Sequence, residues 1–220
     1  MLTSIHLPQL ASRWLAGALL LALLAGGQTA ANPLVPSTRT VIPQHGQLLV
    51  FQQPAGFVLL GEQQQGGLYL REALPEGEDR SNWTQLLTVL AHRGSPDGLE
   101  ATPAGLVRGL AAAYQQACPS SFATRTLVDA ALPEGHPLYA AVLACGALGA
   151  AEQRRGEQVL VLSIKRGEVY FSLQWAQRQP AQERAPEPDM ERWAARLQQL
   201  APLKVCDRLP GERPPFPSCQ

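Results

Sequence analysis

An antiparallel α+β domain stapled by disulfides is predicted by three observations. Short apolar runs alternate with Gly- and Pro-containing turns between residues 47 and 175, the pattern of strands joined by tight connections. Two segments, 102–118 and 189–200, instead carry apolar residues at three- and four-residue spacing behind a capping residue, the pattern of amphipathic helices. Four cysteines, Cys118, Cys145, Cys206 and Cys219, all lie beyond an N-terminal apolar run that reads as an export signal.

That run is Trp14 to Ala25, twelve apolar residues preceded by Arg13 and followed by the small residues Thr29-Ala30-Ala31. Twelve residues are too few for a membrane-spanning helix, which needs about 20. Residues 1–31 are therefore expected to be a cleaved signal peptide. The expected location is the periplasm or the medium, with no stable membrane insertion after cleavage. Without Arg13 the chain retains 17 basic residues against 18 acidic ones. Such a balance provides no long-range field to draw in nucleic acid, so no nucleic-acid partner is expected.

In chain order, Asn32–Gly46 contains three prolines and no sustained period, and reads as an irregular arm. The single α+β domain is assigned to 47–206. Gln47–Phe51 and Phe57–Glu62 flank Pro54-Ala55-Gly56 and suggest a hairpin. Leu68–Leu74 alternates like a half-buried strand. Pro75–Asn82 is made of turn formers and charges. Trp83–His92 is either a buried strand or a helical turn leading into one, since a short apolar run has no deciding period.

Thr102 with Pro103 at the first helical position opens the strongest helix, with Leu106, Leu110, Ala113, Tyr114 and Ala117 as its apolar face. Pro119 ends it. Phe122–Leu132 and Pro137–Cys145 read as strands. So do Glu157–Arg166 and Glu168–Trp175, which flank a compact turn at Gly167. Asp189–Leu200 forms the second helix on Met190, Trp193, Leu197 and Leu200. Residues 207–220 are a Pro-rich tail in which regular structure is not expected.

Four cysteines allow three pairings. The favoured one joins Cys118 to Cys145, tying a helix end to a strand, and Cys206 to Cys219, closing the tail. No C-x-x-C spacing is present, so a thioredoxin-type or zinc-ribbon site is poorly supported.

Catalytic and metal signals are sparse, and no cofactor motif is present. His45, His92 and His136 are scattered over loops without ligand spacing. Ser163 and Ser172 sit inside strands without a nucleophile elbow. The turn carrying Glu72, Glu76, Glu78 and Asp79 is dense in carboxylates, but Arg71 and Arg80 bracket it and its spacing is not that of a calcium loop. Arg154, Arg155, Lys165 and Arg166 form a small basic patch if the strands bring them together. Trp83, Trp175 and Trp193 read first as core residues, with a ligand groove as the alternative.

The segment Phe51-Gln52-Gln53-Pro54-Ala55-Gly56-Phe57, the stretch from Glu76 to Gln85 (EGEDRSNWTQ), and the order of strands and helices together resemble the Mog1/PsbP-like family. The two segments are also similar to those of small exported proteobacterial proteins. The likeness spans most of 47–206 and carries no functional residue across. It implies an α/β/α sandwich, an antiparallel sheet flanked by helices, used for binding and assembly rather than one chemistry.

The expected function is that of a non-catalytic exported binding or accessory protein. It would contact an envelope protein partner or small ligand through Trp83, Glu76, Glu78, Asp79 and Arg80. Two other readings stand beside it. One is an inhibitor or immunity-type protein that plugs an envelope enzyme with its tail or acidic turn. The other is a hydrolase assembled from His92, His136 and that turn.

Overall fold

In the computed structural model, antiparallel ladders account for every strand among the described residues, and these fall into two sheets. The structure describes residues 37–94, 97, 99–149 and 154–220. The expected signal peptide and the first residues of the arm lie outside them. The larger sheet contains β3 (Phe57–Gln65), β4 (Leu68–Pro75), β5 (Gln85–Arg93), β6 (Phe122–Ala131), β7 (Pro137–Leu148), β8 (Arg155–Arg166) and β9 (Val169–Pro180). Its order is β3-β4-β5-β9-β8-β7-β6. The smaller sheet has the order β1-β2-β10, from β1 (Thr38–Gln44), β2 (Gln47–Gln53) and β10 (Lys204–Asp207). The helices are α1 (Pro103–Ala117) and α2 (Met190–Gln199).

The strand period of two decides what covers each face of the large sheet. Leu87, Val89, Leu160, Leu162, Phe171 and Leu173 point to one side. There they pack with Leu49, Phe51 and Val205 of the small sheet and with Trp193 and Leu200 of the α2 segment. Their neighbours Ala141, Leu143, Val159, Val161 and Ala176 point to the other side and meet Val107, Leu110 and Tyr114 of α1. The layers are thus α1, the seven-stranded sheet, and a third layer of α2 with the small sheet.

Several sequence expectations are borne out. Thr102 caps α1 by accepting a hydrogen bond from the Gly105 amide, and Asp189 caps α2 through the Arg192 amide. β8 and β9 form the hairpin around Gly167, whose φ of 56° suits glycine. Cys118 is bonded to Cys145 and Cys206 to Cys219, with Cα separations of 6.0 and 5.7 Å.

Other expectations are corrected. The arm is not irregular, because residues 38–44 form β1. Pro43 is tolerated there because β1 is an edge strand and gives up no ladder donor on its outer side. The two strands around Pro54-Ala55-Gly56 are not a hairpin. β2 pairs with β1 and β10, whereas β3 pairs with β4, so the turn carries the chain from one sheet to the other. Local turn chemistry is the same in both cases, and only the partners differ.

Trp83 opens no helical turn. β5 is a strand, with Leu87, Val89 and Ala91 buried. The inner face of α1 is rotated from the expected one. Val107, Leu110, Ala111 and Tyr114 face the sheet, while Ala113 and Ala117 are exposed. Alanine fits either side of a helix, so Val107 decides the face. The domain also extends past 206, because Phe216 and Cys219 pack on Leu48 and Val50, and residues 217–219 form a short 3-10 turn.

Candidate functional site

Carboxylates in the acidic turn are spent on holding its own shape. Glu78 accepts hydrogen bonds from the Thr84 hydroxyl at 2.5 Å and the Thr84 amide at 2.7 Å. Asp79 Oδ1 accepts from the Ser81 hydroxyl at 2.5 Å, the Ser81 amide at 2.7 Å and the Asn82 amide at 3.0 Å. Arg80 pairs with Glu72 at 3.0 Å. These contacts leave Glu76, exposed at the tip, as the acid of the turn whose carboxylate makes neither a hydrogen bond nor an ion pair to a described residue.

The Ser81 hydroxyl, followed by the two amides, holds the Asp79 carboxyl below the usual aspartate range. A depressed carboxyl favours the ordered loop above the ordinary aspartate pKa, and that contribution is lost as pH falls through the lower folded value. The Ser81 and Asn82 amide resonances are therefore expected to stay put on acidification until below pH about 3.9. A transition centred at or above that pH would count against the cap.

This rigid turn delivers Trp83 to one end of the large sheet, where the Arg178 guanidinium lies over its indole at 3.6 Å from the ring centroid. The Arg178 amide donates to the Thr84 carbonyl at 2.8 Å and fixes the two segments together. Nε of Arg178 faces Glu157 Oε2 at 3.6 Å, and the Tyr114 hydroxyl of α1 donates to Glu157 Oε1 at 2.6 Å. Burial, reinforced by the Glu157 carboxylate, pushes the Tyr114 phenol far above its usual range, so it stays protonated and donating.

Two adjoining clefts of about 500 and 450 Å³ open beside this stack and share Ser81, Arg155 and Arg178. Arg155 enters from the first position of β8, and Arg80 from the acidic turn. Among the described residues lining them stand three arginines (Arg80, Arg155, Arg178) against one carboxylate, Glu157.

The structure separates residues that the sequence left free to converge. Arg154 and Arg155 lie at one end of β8 and Lys165 and Arg166 at the other, so the four do not form one patch. His92 is the penultimate residue of β5, on the side remote from the acidic turn, about 23 Å from Gln85 at a rise of about 3.3 Å per residue. His136 sits in the β6–β7 turn at that same remote end, bonded to Arg166 Nη1 at 2.7 Å. A hydrolase built from His92, His136 and the acidic turn therefore lacks the necessary convergence.

The Pro-rich tail is tied down by Cys219 and by Arg39 donating to the Cys219 carbonyl at 2.6 Å, so it is not free to plug a partner. Trp175 and Trp193 are core residues, whereas Trp83 is only half-buried at the cleft. Sequence reasoning missed Arg178 and Glu157. Glu157 opens an expected strand, but Arg178 lies beyond the expected end of the next one at Trp175; only the extension of β9 to Pro180 and the β8–β9 register place Glu157 opposite Arg178.

No family model and no curated protein matches the chain. Solved structures do overlap with it. The Saccharomyces cerevisiae Ran-binding protein Mog1p shares 8% identity at a TM-score of 0.43, covering 74% of this chain and 92% of that one. A single-substitution mutant of Mog1 gives 8% identity and a TM-score of 0.42 over 66% and 78% of the two chains. The solution structure of cyanobacterial PsbP from Synechocystis gives 12% identity and a TM-score of 0.40 over 78% and 91%. The α+β class of this chain rests on its own antiparallel ladders and two helices.

Proposed function

We propose that this chain is a non-catalytic binding or accessory protein that acts after export, in the periplasm or beyond it. It meets an envelope protein partner or a small ligand through the Glu76–Arg80 turn, Trp83 and the cleft beside them. The observation that carries this reading is the construction of the turn. Glu78 and Asp79 are consumed in fixing its backbone, so it holds a set shape while the Glu76 side chain is left exposed at its tip. A pre-formed loop loses little conformational entropy on binding, which is what a contact surface needs.

The separation of His92 and His136 from the acidic turn supports a binding role over the hydrolase reading. Ser163 is fully buried and closed to a substrate, and Ser172, which lines a small apolar cleft with His92, is only 8% exposed. The inhibitor reading retains only the acidic turn as its contact, since the tail is packed.

A photo-crosslinking side chain placed at Glu76 in cells tests the proposal, with the same group at Gln64 as reference. Gln64 is exposed on β3 at the opposite end of the sheet. One discrete adduct formed from position 76 and absent from position 64 is the expected result. No adduct from 76, or the same adducts from both positions, would sink the protein-partner contact at Glu76.

A further inference from the structure

The chain as a whole carries no net charge, yet the cleft beside Trp83 does. The described lining of its two lobes sets Arg80, Arg155 and Arg178 against Glu157. With Arg80 paired to Glu72 and Arg178 facing Glu157, one positive charge, that of Arg155, stays without a carboxylate among the described residues. The donors there are also largely unused. Arg178 is held by its ring stack and by Nε towards Glu157, and its Nη groups donate to no described residue. Arg155 donates from Nη1 to the Arg154 carbonyl at 2.8 Å and meets no carboxylate among the described residues. Glu157 offsets only one of these two cations: it faces Arg178 through Oε2 while Tyr114 donates to Oε1, and Arg155 keeps its charge.

A guanidinium stacked on an indole is pre-organised, and its outer N–H pair matches the two oxygens of a carboxylate or phosphate. We propose that this cleft binds a small ligand bearing two acidic oxyanion groups or one doubly charged one, bridging Arg155 and Arg178 beside the Trp83 ring. A dicarboxylate and a phosphate ester present the same chemistry to these arginines. The inference deepens the binding role proposed above. It is read on the isolated protein, so its failure would leave the Glu76 contact standing, and the reverse also holds.

The test is an NMR titration of the purified, disulfide-bonded protein with glutarate in one arm and inorganic phosphate in the other. Sodium chloride at matched ionic strength is the reference. The expected result is saturable movement of the Trp83 indole N–H and the Arg178 Nε–H, with a Kd below about 1 mM for at least one of the two anions. Which anion binds distinguishes the two sources. Arg155→Ala should weaken binding by about tenfold or more, as loss of a charge-assisted contact does. Arg155 is exposed, so the fold should persist, and an unchanged amide spectrum checks this. Arg155→Gln serves in its place if the spectrum changes. Arg208→Ala, beyond β10, should leave affinity unaltered. The proposal is overturned by any of three results: no saturation by about 10 mM of either anion, equal affinity in the Arg155 variant, or the same shifts with sodium chloride alone.

Discussion

Trp193→Ala is expected to lower the free energy of unfolding by about 3–5 kcal/mol, the range for emptying a large aromatic site in a core. Trp193 is 2% exposed and joins α2 to the large sheet. Its indole N–H donates to Gln158 Oε1 at 2.9 Å, so truncation also strands a partner on β8. The Arg196 guanidinium lies 4.5 Å from the Trp193 ring centroid and 5.0 Å from that of Trp175. It finds amide oxygens rather than a carboxylate, donating to Gln177 Oε1 at 2.7 Å and Gln85 Oε1 at 3.2 Å.

Burial lowers the Arg196 pKa to about 10, so the group stays charged near neutrality. Removing Trp193 takes away half of the aromatic enclosure of a buried cation, which places the expected loss toward the upper part of the range. Urea titration followed by far-ultraviolet circular dichroism measures it. A loss under about 1 kcal/mol would mean that α2 does not close the core as described.

Replacing Cys118 and Cys145 together by alanine is the second large effect. The bridge closes 27 residues of sequence. On the chain-entropy model, a loop of that length contributes about 3.5 kcal/mol by restricting the unfolded chain. Both sulfurs are enclosed and alanine is smaller than cystine, so a modest cavity term adds to the loss.

The bridge also pins the end of α1 to β7 beside Gly146, where space is short. A Cβ at Gly146 would overlap the carbonyl oxygens of Gln182 and Arg184. Gly146 itself donates to Ser121 and accepts from Gln182, both at 2.8 Å. Comparing denaturant midpoints of the native and doubly substituted proteins checks the value. Equal midpoints would show that this packing holds the corner without the covalent link.

Much of the chain was legible because its signals are local. The N-cap of α1 needs only Thr102 and Pro103. The β8–β9 hairpin needs only Gly167 between two alternating runs. The face of α2 follows from Met190, Trp193, Leu197 and Leu200 alone. The preferred cysteine pairing also proved to be the observed one, because each bridge ties elements that are near in sequence and meet in the fold.

The misread parts depend on distant partners. β1 looked irregular because Pro43 is a strand breaker except at an edge, and edge position is a property of the sheet. The turn at Pro54 looked like a hairpin because its residues report a reversal and not what each strand pairs with. Trp83 could be read as core or groove, because its surroundings are supplied by Arg178, almost a hundred residues later in the chain.

By itself, the sequence determined the class of this protein: antiparallel strands with two capped helices and a near-neutral chain. Periodicity, caps and composition are written within a few residues of one another and suffice for that. The candidate site was decided only by tertiary structure. Antiparallel registry set Glu157 opposite Arg178, the acidic turn carried Trp83 onto that arginine, and β8 sent Arg155 to the same end while leaving Lys165 and Arg166 at the other. Charge converges in space through strand pairing, and no local pattern of residues records which strands will pair.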